Sequence, residues 1–339
     1  MDLHPVPHGH SIGRRTLPLE LILHIIEDVV PSNPEIFLTP SHSSTKTLLA
    51  LTRVSRDTYA PAVKLLRQRC VFIDSERRLT RLLVCIPRFT PGLSPALSLR
   101  SITSLYLEPF KETLGDKLTA CWVRDLFFEV SESLQKLVVT MPFNSVDVFN
   151  DHEGVRKILR DGFESLHKLE EFVSIGDYPS LSLAEGPTDI WRLFHDLKRL
   201  TLFKVPLDNH WLWWNIATLS KLEHVILAQS RQTAGVNIKD EYFHKLPSTD
   251  ARLDRDIYVV LLDEAGNWPN LNIQRWHEID PKERMRIRIQ SVCSDIEPGA
   301  TQLLDDPVSA YVKDRVINGS LWRREVGFVG EESIERSLI

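Results

Sequence analysis

The sequence predicts an α/β protein in which a small N-terminal helical unit precedes an irregular solenoid of strand–helix repeats. Over residues 16–72, apolar residues recur at helical spacing, with proline and polar residues at the expected helix starts. From residue 102 onward, a short leucine-containing motif recurs, and helical patterns separate its copies. A length of 339 residues is enough for about two domains of ordinary size.

The first helix is predicted to begin at Pro18, because proline suits the first turn, where its missing N–H is no loss. Glu20 then lies in the first turn, where its charge meets the positive end of the helix dipole. Apolar residues lie on several sides of this helix: Leu19, Leu21, Ile22, Leu23, Ile25, Ile26, Val29 and Val30. A helix with so wide an apolar surface is expected to be shared between the fold and a partner.

Two further helical patterns follow the first, over residues 48–59 and 60–66. Pro61 is placed to begin the second of these patterns. The segment from Pro31 to Ser44 is rich in proline and serine, which is typical of a surface loop.

The order of residues in this region resembles the F-box motif, over about residues 16 to 72. The motif residues are Leu17-Pro18-Leu19-Glu20-Leu21, then Leu51-x-x-Val54-Ser55-Arg56, then a helix ending near Arg69. In that family the motif docks a Skp-type adaptor, which tethers the protein to a cullin–RING ubiquitin ligase. The chain departs from the family twice: Tyr59 stands where a Trp is usual, and the loop between the first two helices is longer.

The resemblance implies a set of residues at the adaptor interface or supporting it: Leu17, Pro18, Leu21, Ile22, Ile25, Val54, Ser55 and Tyr59. Tyr keeps the large ring and polar tip that Trp would supply. The alternative is that these helices only cap a larger core.

A motif of the form Leu-x-x-Leu-x-Leu recurs at intervals of about 25 to 35 residues. Its copies begin at Ile102, Leu134, Leu169, Leu197 and Leu222. In the third copy, Val173 and Ile175 could point inward instead of Phe172 and Ser174. This arrangement resembles the irregular leucine-rich region that follows the F-box in many fungal F-box proteins. The alternative is a single α/β domain whose sheet carries no binding surface.

The C-terminal third is predicted to contain strands over 256–263 and 286–290 and a final helix over 305–317. We therefore divide the chain into a flexible tail (1–15), an F-box-like helical domain (16–72), a leucine-rich-repeat-like solenoid (73–265) and a C-terminal capping segment (266–339). Terminal units of solenoids are usually atypical because they cover exposed core.

Side chains that alternate with the inward residues are expected to face the open side of the sheet and to bind a target protein. The candidates are Tyr106, Lys136, Arg199, Phe203 and His224, with Ser104, Val138, Thr201 and Ile226 beside them. In the run Trp211-Leu212-Trp213-Trp214, at least one indole ring is expected to reach solvent, because three rings cannot all face one way on a helix.

Composition and motifs exclude several function classes. A net charge of −5 is too mild to argue for nucleic acid, and neither a bilayer-spanning apolar run nor a signal peptide is present. The four cysteines lack metal-ligand spacing, and His4, His8 and His10 favour a flexible tail over a metal site. No catalytic signature or cofactor motif occurs. We expect a protein of the cytoplasm, the nucleus or both that is not an enzyme and has no cofactor.

Together these patterns predict a substrate-recruiting subunit of an SCF-type ubiquitin ligase. Its partners would be a Skp-type adaptor, the cullin–RING ligase behind it and an unidentified target protein, without nucleic acid or membrane. The alternative is a repeat-based interaction or scaffold protein with no ubiquitin ligase role. A hydrolase with a site assembled from distant residues has no positive support in the sequence.

Overall fold

The computed structural model describes residues 18–84, 86, 98–181, 189–231, 235–244, 246–247, 249–264, 271–292 and 306–323. Over these ranges the chain is an α/β protein with one open sheet of eight parallel strands, whose spatial order is the chain order. The strands are β1 Phe72–Ile73, β2 Ser104–Leu107, β3 Lys136–Thr140, β4 Glu171–Ile175, β5 Arg199–Phe203, β6 His224–Ala228, β7 Ile257–Glu264 and β8 Met285–Val292.

The helices in the described ranges are α1 Leu19–Asp28, α2 Ser43–Leu51, α3 Arg56–Arg69, α4 Glu76–Leu83, α5 Lys117–Val130, α6 Val155–Glu164, α7 His210–Thr218, α8 Ile238–Phe243, α9 Trp276–Ile279 and α10 Pro307–Ile317. Short 3-10 turns cover Leu99–Ser101, Phe143–Ser145, Val148–Asn150, Trp191–Leu193 and Ala251–Leu253. Helix between β4 and β5 is thus limited, in the described ranges, to the single turn at Trp191–Leu193.

The recurring motif places one apolar side chain of each copy in the same row of the sheet. The aligned residues are Leu105, Leu137, Phe172, Leu200 and Val225. All are buried in the main core, which lies between this face of the sheet and the helices that connect the strands. Phe172 points into that core, whereas Val173 and Ile175 lie on the opposite face, which settles the register of the third copy.

Helix α10 covers the opposite face of the sheet. Its residues Val308, Val312 and Val316 are spaced four apart, which puts them on one side of the helix, and all three are buried in a second core. The Asp306 carboxylate caps the helix by accepting a hydrogen bond from the Ser309 N–H at 3.1 Å. The sheet is therefore packed between helices on both faces.

Helices α1 and α2 both pack against α3, and the three form a small core of their own around Ile26, Leu48 and Ala62. The loop between α1 and α2 leaves this small core and crosses to the sheet. There the Phe37 N–H donates to the Ile317 carbonyl at the end of α10 at 3.0 Å, and the Phe37 ring joins the second core. The long loop thus ties the N-terminal helices to the sheet and to α10.

Two predicted boundaries differ from the structure. The second helix ends at Leu51 and the third begins at Arg56, so Pro61 lies inside α3 instead of beginning a helix. The cause is a capping box between Ser55 and Thr58, which starts α3 five residues before the proline. The sheet also runs past residue 265, because β8 pairs with β7 along its whole length.

Candidate protein-binding surface

Helix α1 leaves much of its apolar surface uncovered. Pro18 precedes its first residue, and Ile26 is buried against α3 at 1% exposure. Leu21 and Ile25, which lie one turn apart on another side of the helix, are 49% and 52% exposed, and Leu19 in the first turn is 48% exposed. Apolar side chains this exposed on one short helix are typical of a surface that another protein covers.

The turn between α2 and α3 carries another exposed apolar residue. Val54 is 69% exposed. The next residue, Ser55, has a structural role, because its hydroxyl accepts a hydrogen bond from the Thr58 N–H at 3.2 Å and so caps α3. Ser55 therefore fixes the turn that presents Val54.

Tyr59 lies in a separate apolar groove of about 530 Å³. This groove is formed by α2, α3, β1 and α4, with Leu49, Leu66 and Leu82 among its lining residues. Among the described residues, none from α1 lines the groove. The structure thus separates Tyr59 from the exposed side of α1, although the resemblance implied one interface for both.

Of the remaining residues that the F-box resemblance implied, Pro18 is exposed and Ile22 is half-buried against the small N-terminal core. Leu17 lies outside the described residues. Leu49 on α2, which is 50% exposed, is not among the residues that the resemblance implied. The run Leu48-Leu49-Ala50-Leu51 could have indicated an exposed apolar residue here, because a helix buries only part of so continuous an apolar run.

The prediction of an open target-binding face is wrong at the centre of the sheet. Tyr106 and Phe203 are 0% exposed because α10 and Phe37 cover them. The neighbouring candidates Val138, Thr201 and Ile226 are buried in the same way, while Ser104 at the start of β2 is half-buried. Alternation along a strand identified the correct face, but it carries no information about the helix that returns to cover that face.

The two cationic candidates are held by carboxylates of the same chain. Lys136 Nζ lies 3.1 Å from Glu171 Oε1 and 3.3 Å from Glu35 Oε2. Arg199 lies 2.9 Å from Glu171 Oε2 and 3.0 Å from Glu35 Oε1 through its two terminal nitrogens. Since Glu171 is buried on β4 and Glu35 comes from the α1–α2 loop, this ion cluster fastens the loop to the sheet.

The charges of the cluster shift the acidity of Glu35. Burial disfavours its ionised form, but Lys136 and Arg199 outweigh burial through their charges and hydrogen bonds, so the pKa of Glu35 lies below its ordinary value. The carboxylate is therefore ionised at neutral pH and serves the attachment of the loop. Lys136 and Arg199 are consequently structural in the single chain.

His224 is the one predicted target-binding residue that is half-exposed and lines a cleft. The cleft lies beside the C-terminal end of α10, over the starts and middles of β6 to β8. Tyr258 follows His224 in the same row of the sheet. The accessible part of the predicted face is thus its margin.

The tryptophan run behaves as its spacing predicted. Trp213 is buried and donates from its indole N–H to the Leu207 carbonyl at 2.7 Å, whereas Trp211 is 56% exposed. Within the described ranges, no group of three or more His, Cys, Asp or Glu side chains is arranged to hold a metal ion. His4, His8 and His10 lie outside those ranges.

Comparison with known proteins gives no identification. No protein-family model matches the chain. The curated proteins likewise contain no significant match. Among the described residues, every helix is too short or too polar to cross a membrane.

Proposed function

We propose that this protein is a substrate-recruiting subunit of an SCF-type ubiquitin ligase. Residues 16–72 act as an F-box that docks a Skp-type adaptor, and the strand–helix repeats act as an irregular leucine-rich-repeat-like solenoid that holds a target protein. Ubiquitin transfer belongs to the other subunits of the complex, so this chain supplies binding and positioning.

The observation that carries the proposal is the exposed apolar side of α1. Leu19, Leu21 and Ile25 stay about half-exposed, among the residues that the structure describes. Complete burial of a leucine or isoleucine side chain contributes roughly 1.5–3 kcal/mol of free energy. Because these residues are half-exposed, a partner that covers them gains part of that free energy at each residue. Because the order of residues around α1 resembles an F-box, we infer that this partner is a Skp-type adaptor.

The sheet supports the second half of the proposal. Eight parallel strands in chain order, with helices on one face, are what stacked strand–helix units produce. Because α10 occupies the middle of the other face, a target protein binds at the margin of that face or on the helical side.

The alternative is an interaction or scaffold protein that does not join a ubiquitin ligase. One observation favours it: Trp211 is exposed on α7 and meets Trp214 edge-to-face at 5.9 Å between ring centroids, so a second aromatic surface is available for a partner. That surface needs no adaptor.

Co-purification with a Skp-type adaptor tests the proposal. The wild type is compared with the double variant Leu21→Asp, Ile25→Asp, which places charges where the adaptor would cover apolar surface. We expect the wild type to bind and the double variant to lose at least about a hundredfold in affinity, since two apolar contacts are replaced by buried charges.

A matched control uses Leu118→Asp, Phe128→Asp on α5, because these side chains are 57% and 48% exposed and so resemble Leu21 and Ile25 in exposure. The control should bind the adaptor like the wild type, and both doubles should keep the circular dichroism of the wild type. Equal loss of binding in both doubles, or no binding by a folded wild type, would overturn the proposal in favour of the scaffold alternative.

A further inference from the structure

The cleft beside the end of α10 has an apolar floor and a cationic rim. Ile226 of β6 and Val260 and Leu262 of the neighbouring strand β7 form the floor. Arg288 on β8, Arg315 on α10 and Arg323 after it contribute the cations at the rim. No Asp or Glu is among the described residues that line the cleft, although the chain as a whole carries a net charge of −5.

Aromatic rings define the sides of the cleft. The centroids of the Trp322 and His224 rings lie 6.3 Å apart. The Arg199 guanidinium lies 5.8 Å from the centroid of the Trp322 ring. The Arg315 guanidinium lies 4.8 Å from the centroid of the Tyr311 ring, whose hydroxyl accepts a hydrogen bond from Gln290 Nε2 at 2.7 Å. These contacts hold the rings and the guanidinium groups in place before any ligand binds, which lowers the entropic cost of binding.

The size of the cleft limits what it can take. Its cavity volume is about 50 Å³. A cavity of about 10–15 Å³ holds one water molecule, so this cleft has room for only a few waters. The space therefore suits the tips of one or two side chains and not a folded element. Guanidinium groups prefer carboxylate and phosphate oxygens, and the floor prefers an apolar group. A nucleic acid is a poorer fit, because it needs an extended basic surface that follows a phosphate backbone.

We propose that this cleft is the target-recognition site and that it takes an acidic side chain together with an adjacent apolar side chain from an extended segment of the target protein. The inference rests on the proposed function, since it names the class of target that the recruiting subunit would hold. It also explains how a target can bind although α10 covers the centre of the sheet: His224 and Tyr258 remain half-exposed at the margin.

Fluorescence anisotropy with the full chain tests this proposal. The probe is a fluorescein-labelled peptide pool with a fixed Leu-Glu-Glu core and randomised flanks, and the matched pool has a Leu-Gln-Gln core. We expect saturable binding of the acidic pool and binding of the amide pool that is at least about tenfold weaker, because charge-assisted hydrogen bonds to the arginines are lost. The double variant Arg315→Gln, Arg323→Gln should weaken binding of the acidic pool by about tenfold or more for the same reason.

Arg286→Gln is the matched control, because Arg286 is an exposed cation on the same strand as Arg288 but lines a different cavity. It should change affinity by no more than about twofold, since solvent and salt screen a charge outside the cleft. Absence of saturable binding, equal binding of both pools, or an equal loss in Arg286→Gln would overturn the inference.

Adaptor co-purification of the same variants separates this inference from the proposed function. Loss of peptide binding with intact adaptor binding is expected of the Arg315→Gln, Arg323→Gln protein. If the wild type binds the adaptor but not the acidic pool, the cleft is not the recognition site. If it binds the acidic pool but no adaptor, the ligase role fails while the cleft stands.

Discussion

Helices α1 and α10, the first and last helices that the structure describes, both carry apolar residues but differ in what covers them. On α10, Val308, Val312 and Val316 are buried against the sheet. On α1, only Ile26 is buried, and three large apolar residues stay about half-exposed. An amphipathic pattern therefore shows that a helix needs cover, without showing which molecule supplies it.

The surface that each helix meets accounts for the difference. Helix α10 lies on a broad apolar face that includes Val138, Val173 and Ile226 from three strands of the sheet. Among the described residues, helix α1 packs mainly against α3, and the small core that it shares with α2 and α3 buries only Ile26 of α1. The sheet buries the apolar side of α10 within the chain, whereas the N-terminal unit is too small to bury all the apolar residues of α1.

The largest expected effect comes from placing the same charge on the two helices. Val312→Asp should lower the free energy of unfolding by about 4 kcal/mol or more, because it leaves a charge without a partner in the second core. Leu21→Asp should change it by less than about 1 kcal/mol, because water already reaches that residue. Urea unfolding of both variants measures the two losses, and similar losses would mean that α1 is covered within the chain after all.

The turn that ends α10 gives a smaller, sharper test. Gly319 and Gly154 have nearly the same backbone angle, with φ of +70° and +68°, so a change to Ala strains both similarly. A Cβ at Gly319 would lie 2.8 Å from the Glu35 carbonyl carbon and the Ile36 nitrogen, whereas nothing lies within 4 Å at Gly154. Gly319→Ala should therefore lower the free energy of unfolding by about 1–3 kcal/mol more than Gly154→Ala does, as measured by thermal or urea unfolding. Equal losses in the two variants would mean that the α1–α2 loop moves away from the end of α10 without loss of stability.

The smallest expected effect concerns Glu35 and pH. Its pKa is lowered in the folded chain, so its carboxylate stabilises the fold above the unfolded pKa, and this contribution is lost as pH falls through the folded pKa. Because the carboxylate is partly exposed, we expect Glu35→Gln to cost only about 1 kcal/mol at neutral pH, and the difference from wild type should shrink below about pH 4.

Glu132→Gln is the control for the pH series. A hydrogen bond and the charge of Lys168 also lower the pKa of Glu132, but this ion pair lies in solvent and should contribute less to stability. Unfolding of both variants over a pH series measures the contrast. A constant Glu35→Gln deficit at all pH values would show that the lost interaction does not depend on ionisation.

Much of the sheet could be predicted from the sequence because its signal is local. Alternation placed Leu105, Leu137 and Leu200 on the inner face, and strand and helix bounds follow from short patterns such as Asp306-Pro307 before α10. The exposed side of α1 was also predicted, since its apolar residues were too widespread for one core-facing stripe.

Long-range packing could not be predicted in the same way. Tyr106 and Phe203 were expected to be accessible because nothing local indicates that α10 returns across the sheet. Lys136 and Arg199 were read as binding residues because their partner Glu35 is more than a hundred residues away in the chain. Even the correct helix patterns did not reveal that Pro61 lies inside α3, because the Ser55 cap decides where that helix begins.

The cover that α10 gives the sheet has a consequence for synthesis of the protein. Val312 follows Tyr106 by 206 positions, so a ribosome adding about 5–20 residues per second needs about 10–40 s to reach the helix after it has made Tyr106. During that interval the nascent sheet presents a row of uncovered apolar residues from several strands. Such surface attracts other nascent chains, so we expect the growing protein to be most prone to aggregation before α10 emerges.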